Sequence, residues 1–198
     1  MSVEAQVPAI DIRRGLDRQS FQRVAAAMHN LGQLDNVLFD DSWLSASQIV
    51  QRVRCEAKAL NTKLVVIDYV QEIKTPRNMD RNRGLQEAMT LLGMASQQDD
   101  IAYVVLSQLS RANEKERRRP KMSDLRESGG LEQRAKCVWL LHREGESPQI
   151  EINVAKNSQG PRGHFEVAFH APTMRLGESQ KTEAPAEGKR TFASKYRH

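Results

Sequence analysis

Two short apolar runs, KLVVID at 63–68 and IAYVVLSQ at 101–108, constrain the fold more than any other feature of this chain. Leu64, Val65, Val66 and Ile67 follow one another with no polar residue between them, and Ile101 to Leu106 do the same. A strand with one wet face alternates polar and apolar side chains. A strand without alternation is expected to be buried on both faces, as in a parallel sheet covered by helices. Between the two runs, Leu85, Ala88, Met89, Leu92 and Ala95 recur at three- and four-residue spacing. That spacing predicts a helix over about 84–98 with these residues facing inward. Strand, helix, strand in this order predicts an α/β fold: a mainly parallel sheet with helices on both faces.

The flanking segments extend the pattern. Phe21, Val24, Met28 and Leu31 predict an amphipathic helix that stops near Gly32. VLFDD (37–41) reads as a short strand. Ser45 and Gln48 form a capping-box pattern that opens a helix with Ile49, Val53, Ala57 and Leu60 on one face. CVWLLH (137–142), IEINVAK (150–156) and GHFEVAFH (163–170) read as further strands. Residues 1–14 carry no clear pattern. Beyond Leu176 the composition shifts to Glu, Lys, Ser and Ala, so 177–198 reads as a disordered tail. The organisation is thus one domain over 1–176 and a tail.

Composition narrows the function classes. With 198 residues the chain can form one domain with a sizeable core. The formal net charge is +5, which suits a polyanionic partner or plain solubility. Aromatic residues make up 5%, too few for the stacking platforms of base-reading sheets. No apolar run reaches membrane-spanning length, so no membrane association is expected. Cys55 and Cys137 lie far apart and in no metal-ligand spacing. They read as reduced, partly buried thiols of a cytoplasmic protein.

Three features carry chemistry. Asp68 closes the first apolar strand, where ligands gather in parallel sheets. A carboxylate there can orient Mg²⁺ against nucleotide phosphates, or it can simply cap a turn. Gln108 closes the second strand and can hydrogen-bond a γ-phosphate, or merely mark the strand's end. The segment LSRANEKERRRPKMSDLRESGG holds seven cations (Arg111, Lys115, Arg117, Arg118, Arg119, Lys121 and Arg126) against four acids. Such a loop can track a phosphodiester backbone, or be a solvated charged surface. Gly129-Gly130 permits close backbone approach. A phosphate loop would read G-x-x-x-x-G-K-[ST], and none of the glycines in the 198 residues frames one.

On these residues the chain resembles the C-terminal RecA-like motor domain of DnaB-type replicative DNA helicases of a phage or prophage type, over roughly residues 3–176. VVIDYVQEI resembles the family's magnesium-site strand and VVLSQLSR its phosphate-sensing strand. RRRPKMSDLRESGGLEQ resembles its DNA-binding loop, the most distinctive of these segments. AKNSQGPRG resembles the segment that reaches a neighbouring subunit's ATP site. A RecA/RadA-like recombinase shares the strand pattern but does not explain SDLRESGGLEQ.

The resemblance implies an ATP- and Mg²⁺-dependent motor that translocates on single-stranded DNA as a homo-hexamer or with a complementing helicase subunit. It implies Asp68 as the metal acid, Gln108 as the γ-phosphate sensor and Lys156 as a contact to a neighbour's phosphates. Arg126, Glu127 and Gly129 would hold the DNA backbone. Three departures stand out. The family's phosphate loop and catalytic glutamate fall upstream of the matched segment, so the fold is expected to be incomplete at the N-terminus and the chain inactive alone. Ser158 occupies the arginine-finger position, with Arg162 four residues on. Arg134-Ala135-Lys136 stands where the family usually has Asp-Ala-Asp. A non-catalytic DNA-binding or ring-assembly module derived from such a helicase is the alternative.

Overall fold

The structure, a computed structural model, describes residues 1–110, 116, 118–128 and 130–180, with Lys58, 126–128 and 178–180 described in backbone only. Helix α5 (Arg81–Asp99) is the central element. Asp80 caps its start by accepting a hydrogen bond from the Arg83 N–H at 3.1 Å. Its predicted inward face is borne out: Leu85, Ala88, Met89, Leu92 and Ala95 are all buried.

Helix α5 connects β1 (Leu64–Ile67) to β2 (Ala102–Val105), which pair in parallel with Leu64 opposite Ala102 and Ile67 opposite Val105. Helix α4 (Ala46–Leu60) packs beside α5. The capping box at its start forms as expected: the Ser45 hydroxyl accepts from the Gln48 N–H, and the Gln48 side chain accepts from the Ser45 N–H at 2.9 Å. Its best-buried residues are Ala46 and Val50, whereas Leu60 is exposed.

A second sheet follows in antiparallel order: β3 (Cys137–His142), β4 (Gln149–Asn157), β5 (Gly163–His170) and β6 (Arg175–Gln180). Leu140, Val138 and Ala155 from this sheet join the cluster built around α5, so both sheets share one core. The α/β expectation holds, with a parallel pair beside a larger antiparallel sheet.

A smaller cluster forms at the start of the chain. Helices α1 (Ser2–Ala5) and α2 (Ala9–Arg14) precede α3 (Arg18–Gly32). Ala5 and Val7 pack on Val24 and Ala27, with Ile12 and Leu16 at the margin. Asp17 caps α3 by accepting from the Ser20 N–H at 2.8 Å.

Five expectations are corrected. β1 is not buried on both faces: Leu64 is 54% and Val66 58% exposed. Helices α4 and α5 contribute to the cluster that takes in Ile67, Tyr103 and Val105, the opposite rows of the two strands. VLFDD forms no strand, and Phe39 is 91% exposed. Asp40 instead accepts a hydrogen bond from the Ser42 N–H at 2.9 Å, a local turn that competes with a ladder. Helix α3 turns Val24 and Ala27 inward and leaves Phe21, Met28 and Leu31 exposed, because the short α1 covers only one side. Cys55 and Cys137 are exposed rather than partly buried. Residues 177–180 belong to β6, where Ser179 pairs with Val167, so the ordered chain runs past 176. The rest of the expected tail, 181–198, lies outside the described residues.

Gly84 sets how close the segment before α5 can lie. A Cβ at Gly84 would come within 2.8 Å of the Thr75 side chain. Gly84→Ala gains about 1 kcal/mol in helix propensity but must displace a short branched side chain, at a cost of about 1–3 kcal/mol. The expected net result is a loss of about 1 kcal/mol in a urea melt.

Candidate nucleotide and nucleic-acid site

The carboxyl ends of β1 and β2 lie side by side, and this brings Asp68 and Gln108 to one edge. The Leu106 N–H donates to the Ile67 carbonyl and the Val70 N–H to the Leu106 carbonyl, both at 2.9 Å. These bonds carry the pairing past the strand ends. Asp68 and Gln108 are both exposed. Beside Asp68 stands Tyr69, whose hydroxyl donates to a Glu72 carboxylate oxygen at 2.9 Å. That bond and the Glu72 charge push the phenol pKa up; burial and the Asp68 charge act the same way, and a hydrogen bond with the Gln108 side chain opposes them.

Gln71, not singled out in the sequence, ties the two strand ends together. Its side-chain oxygen accepts from the Gln108 N–H at 3.2 Å. Its side-chain nitrogen donates to the Gln108 carbonyl at 3.2 Å and to the Ser107 hydroxyl at 3.1 Å. One amide side chain therefore holds both backbone groups of the candidate sensor. The partners are 37 residues apart in sequence, so no local pattern announces the contact.

The basic segment after Gln108 is organised by an ion pair. Asp124 is 3% exposed, the only charged residue among the buried ones described. The Arg118 guanidinium donates to both its oxygens at 2.8 Å, and the Lys121 N–H donates to one at 2.8 Å. Arg119 is held by Glu151 at 2.8 Å. Arg118 thus closes the segment on itself, and Arg119 ties it to β4. Leu125 and Leu131 anchor it in the α5 cluster, on either side of the segment expected to contact DNA. Of the residues expected to hold DNA, Gly129 and the side chains of Arg126 and Glu127 lie outside the described residues, as do Arg111, Lys115 and Arg117.

Lys156 stands apart from Asp68 and Gln108, on β4 of the antiparallel sheet. Its ammonium donates to the Glu132 carbonyl at 2.7 Å, in the short helix α6 (Leu131–Arg134), where late carbonyls lack helical partners and favour a cation. Ser158 follows, its N–H donating to the Lys136 carbonyl at 2.9 Å.

Comparison with known proteins decides the family. The family described as DnaB-like helicase C terminal domain matches residues 1–178. The chain belongs to this family. It is 29% identical to the replicative DNA helicase DnaB of Leifsonia xyli subsp. xyli, over 90% of this chain and 41% of that protein. It is 31% identical to the DnaB of Geobacillus stearothermophilus, over 85% of this chain and 40% of that protein. Among solved structures, a DnaB-like replicative helicase studied with primase matches with TM-score 0.78 and 27% identity, over 89% of this chain and 45% of that chain. A second solved structure, of an ATPase domain, matches with TM-score 0.78 and 27% identity, over 89% of this chain and 67% of that chain. The fold is therefore that of DnaB-like, RecA-type ATPase domains, and the chain spans about two fifths of the curated relatives.

Members of the DnaB-like family use nucleotide and Mg²⁺ in general. The donor set here fits only part of that group. Asp68 offers a carboxylate and Gln108 an amide, yet no cluster of three His, Cys, Asp or Glu side chains able to hold a metal occurs among the described residues. No G-x-x-x-x-G-K-[ST] cradle lies within the 198 residues. The residues present do not by themselves fit a nucleotide–magnesium complex.

The buried Asp124 has a consequence in acid. Hydrogen bonds from Arg118 and from the Lys121 N–H outweigh burial and hold its carboxyl at about 2, against an ordinary 3.8. The folded state takes up this proton less readily than the unfolded state. The stabilisation is therefore complete above about pH 4 and fades as pH falls toward 2. Urea midpoints measured from pH 5 to pH 2.5 are expected to fall for the parent, and more shallowly for Asp124→Asn, which starts lower.

Proposed function

We propose that this chain is part of the motor domain of a DnaB-like replicative helicase, an assembly that unwinds duplex DNA by ATP-driven translocation on single-stranded DNA. The observation that carries the reading is the family match over residues 1–178, which spans every candidate site segment. The geometry supports it. Asp68 and Gln108 share one edge, Gln71 joins the two strand ends, and Gln108, just past β2, leads directly into the basic segment.

In this reading Asp68 orients Mg²⁺, Gln108 senses the terminal phosphate, and Lys156 serves a neighbouring subunit of a hexamer. Arg126, Glu127 and Gly129 hold the DNA backbone. Nucleotide hydrolysis requires a phosphate cradle that these 198 residues do not supply, so turnover depends on another segment or subunit. A second reading, a non-catalytic DNA-binding or ring-assembly module, is favoured by two observations: the Lys156 ammonium is engaged by the Glu132 carbonyl, and Ser158 offers no charge at the finger position.

ATP turnover by the purified chain, with and without single-stranded DNA, is expected to stay at background. Turnover that DNA stimulates and Asp68→Ala abolishes would overturn the dependence on an outside cradle. In a salt titration, Arg126→Ala is expected to weaken single-stranded DNA binding alike for unrelated sequences and to lower the salt slope by about 1. An unchanged titration would remove the DNA role from this segment.

A further inference from the structure

The stretch between α3 and α4 stands out in both charge and cover. The chain has a formal net charge of +5, yet no lysine or arginine occurs between Arg23 and Arg52, where Asp35, Asp40 and Asp41 all fall. The same stretch exposes Leu34, Val37, Leu38 and Phe39. Phe39, at 91%, is the most exposed large apolar side chain described. A scattered apolar residue on a surface calls for no explanation, but a run of them marks a place where another surface sits. The run is also held in position. Asp40 accepts from the Ser42 N–H at 2.9 Å and pairs with Arg52 of α4 at 3.1 Å. These links tie the segment to α4 and leave Phe39 and Asp41 exposed.

A surface of the opposite charge follows directly. A cleft of about 460 Å³ opens between Trp43 and residues 71–81, with Lys74, Arg77, Met79 and Arg81 among its lining against one acid, Glu72. Trp43 is 66% exposed, yet its ring is fixed: the indole N–H donates to the Glu72 carbonyl at 2.6 Å, and the Lys74 ammonium lies 5.2 Å from the ring centroid. The Arg81 guanidinium is directed by its bond to the Gln71 carbonyl. Among the described residues neither Arg77 nor Asp41 has an ion-pair partner. Such a cleft suits an apolar group that covers Trp43 and Met79 with a carboxylate beside it. The run Phe39-Asp40-Asp41 has that composition, but it does not enter its own cleft, because the Asp40 bonds hold it to α4.

We propose that two copies of this chain associate about a two-fold axis, the Phe39 ring of each seated against Trp43 and Met79 of the other, and Asp41 of each paired with Arg77 of the other. The charges of segment and cleft are complementary. The two surfaces are also neighbours in one chain, so a single two-fold axis seats both at once, as an isologous interface requires. Each contact is made twice. The fixed Trp43 ring has little ordering entropy left to lose on association. A two-fold contact of this kind is distinct from the head-to-tail neighbours of a ring. It does not depend on the roles given to Asp68, Gln108 or Lys156.

The test reads association directly. Sedimentation velocity over a concentration series of the full chain is expected to show a monomer–dimer equilibrium. Added salt should shift it toward monomer, since the ion pairs lie at an exposed boundary. Phe39→Ala is expected to raise the dimer dissociation constant about tenfold, the loss of an anchoring aromatic side chain. Asp41→Arg alone and Arg77→Asp alone should each leave monomer. Mixed in equal amounts, the two variants should form a heterodimer, because opposite charges then face each other in both halves. That rescue separates a lost contact from a lost fold.

A second readout locates the contact. The chain has two tryptophans, so Trp139→Phe leaves Trp43 as the sole reporter. A synthetic peptide of residues 34–41 is expected to quench Trp43 emission and to dissociate the dimer. Monomer at every concentration overturns the proposal. So does a dimer indifferent to Phe39→Ala and to both charge reversals, which would rest on another face. A mixture of the two charge variants that stays monomeric, while each variant keeps the parental melting temperature, overturns it as well. Quenching by the peptide in a chain that remains monomeric would assign the cleft to an acidic segment of another protein and remove the second copy.

Discussion

Leu85 and Leu92, the most deeply buried large side chains of α5, hold the rest of the domain together. One cluster around them takes residues from α4, from β1 and β2, from the turn after β1, from the basic segment and from β3. The hydrophobic effect has no direction of its own. Here one helix face gathers elements far apart in sequence and fixes how they lie. The edge that carries Asp68 and Gln108 and the start of the basic segment are both placed by this packing. Leu125 and Leu131 enter the same cluster on either side of the expected DNA contacts.

Polar links then refine what the apolar core positions. Gln71 joins two strand ends through backbone groups, and Arg118 with Asp124 closes the basic segment on itself. Both links lie near the path from the candidate phosphate sensor to the candidate DNA contacts. The Arg118–Asp124 pair also changes how the loop's charge is counted: Arg118 and Arg119 are committed to carboxylates within the domain, so the positive charge that can face a polyanion is smaller than the composition suggests.

The local code was legible where one element decided it. The α5 face, the Ser45 capping box and strands β3 to β5 follow from spacing and turn chemistry alone, as do Asp68 and Gln108 at neighbouring strand ends. The misses share a cause. Phe21 and Met28 look like core residues, and Val66 and Leu64 look buried, because a sequence shows which side chains are apolar and not how much cover they receive. VLFDD has strand composition, yet a strand also needs a neighbour's ladder, and a local Asp40 turn took its place. Gln71 and Trp43 gave no signal, since their partners lie in other segments.

The sequence by itself determined the α/β class, the family and the two strand-end residues, because apolar periodicity and contiguous motifs are written along the chain. Only the tertiary structure decided which cations are committed to carboxylates, which amide couples the strand ends, and that a fixed tryptophan shares a cleft with Lys74, Arg77 and Arg81. Those properties depend on contacts between segments brought together by burial around α5, and no linear pattern encodes such a distance.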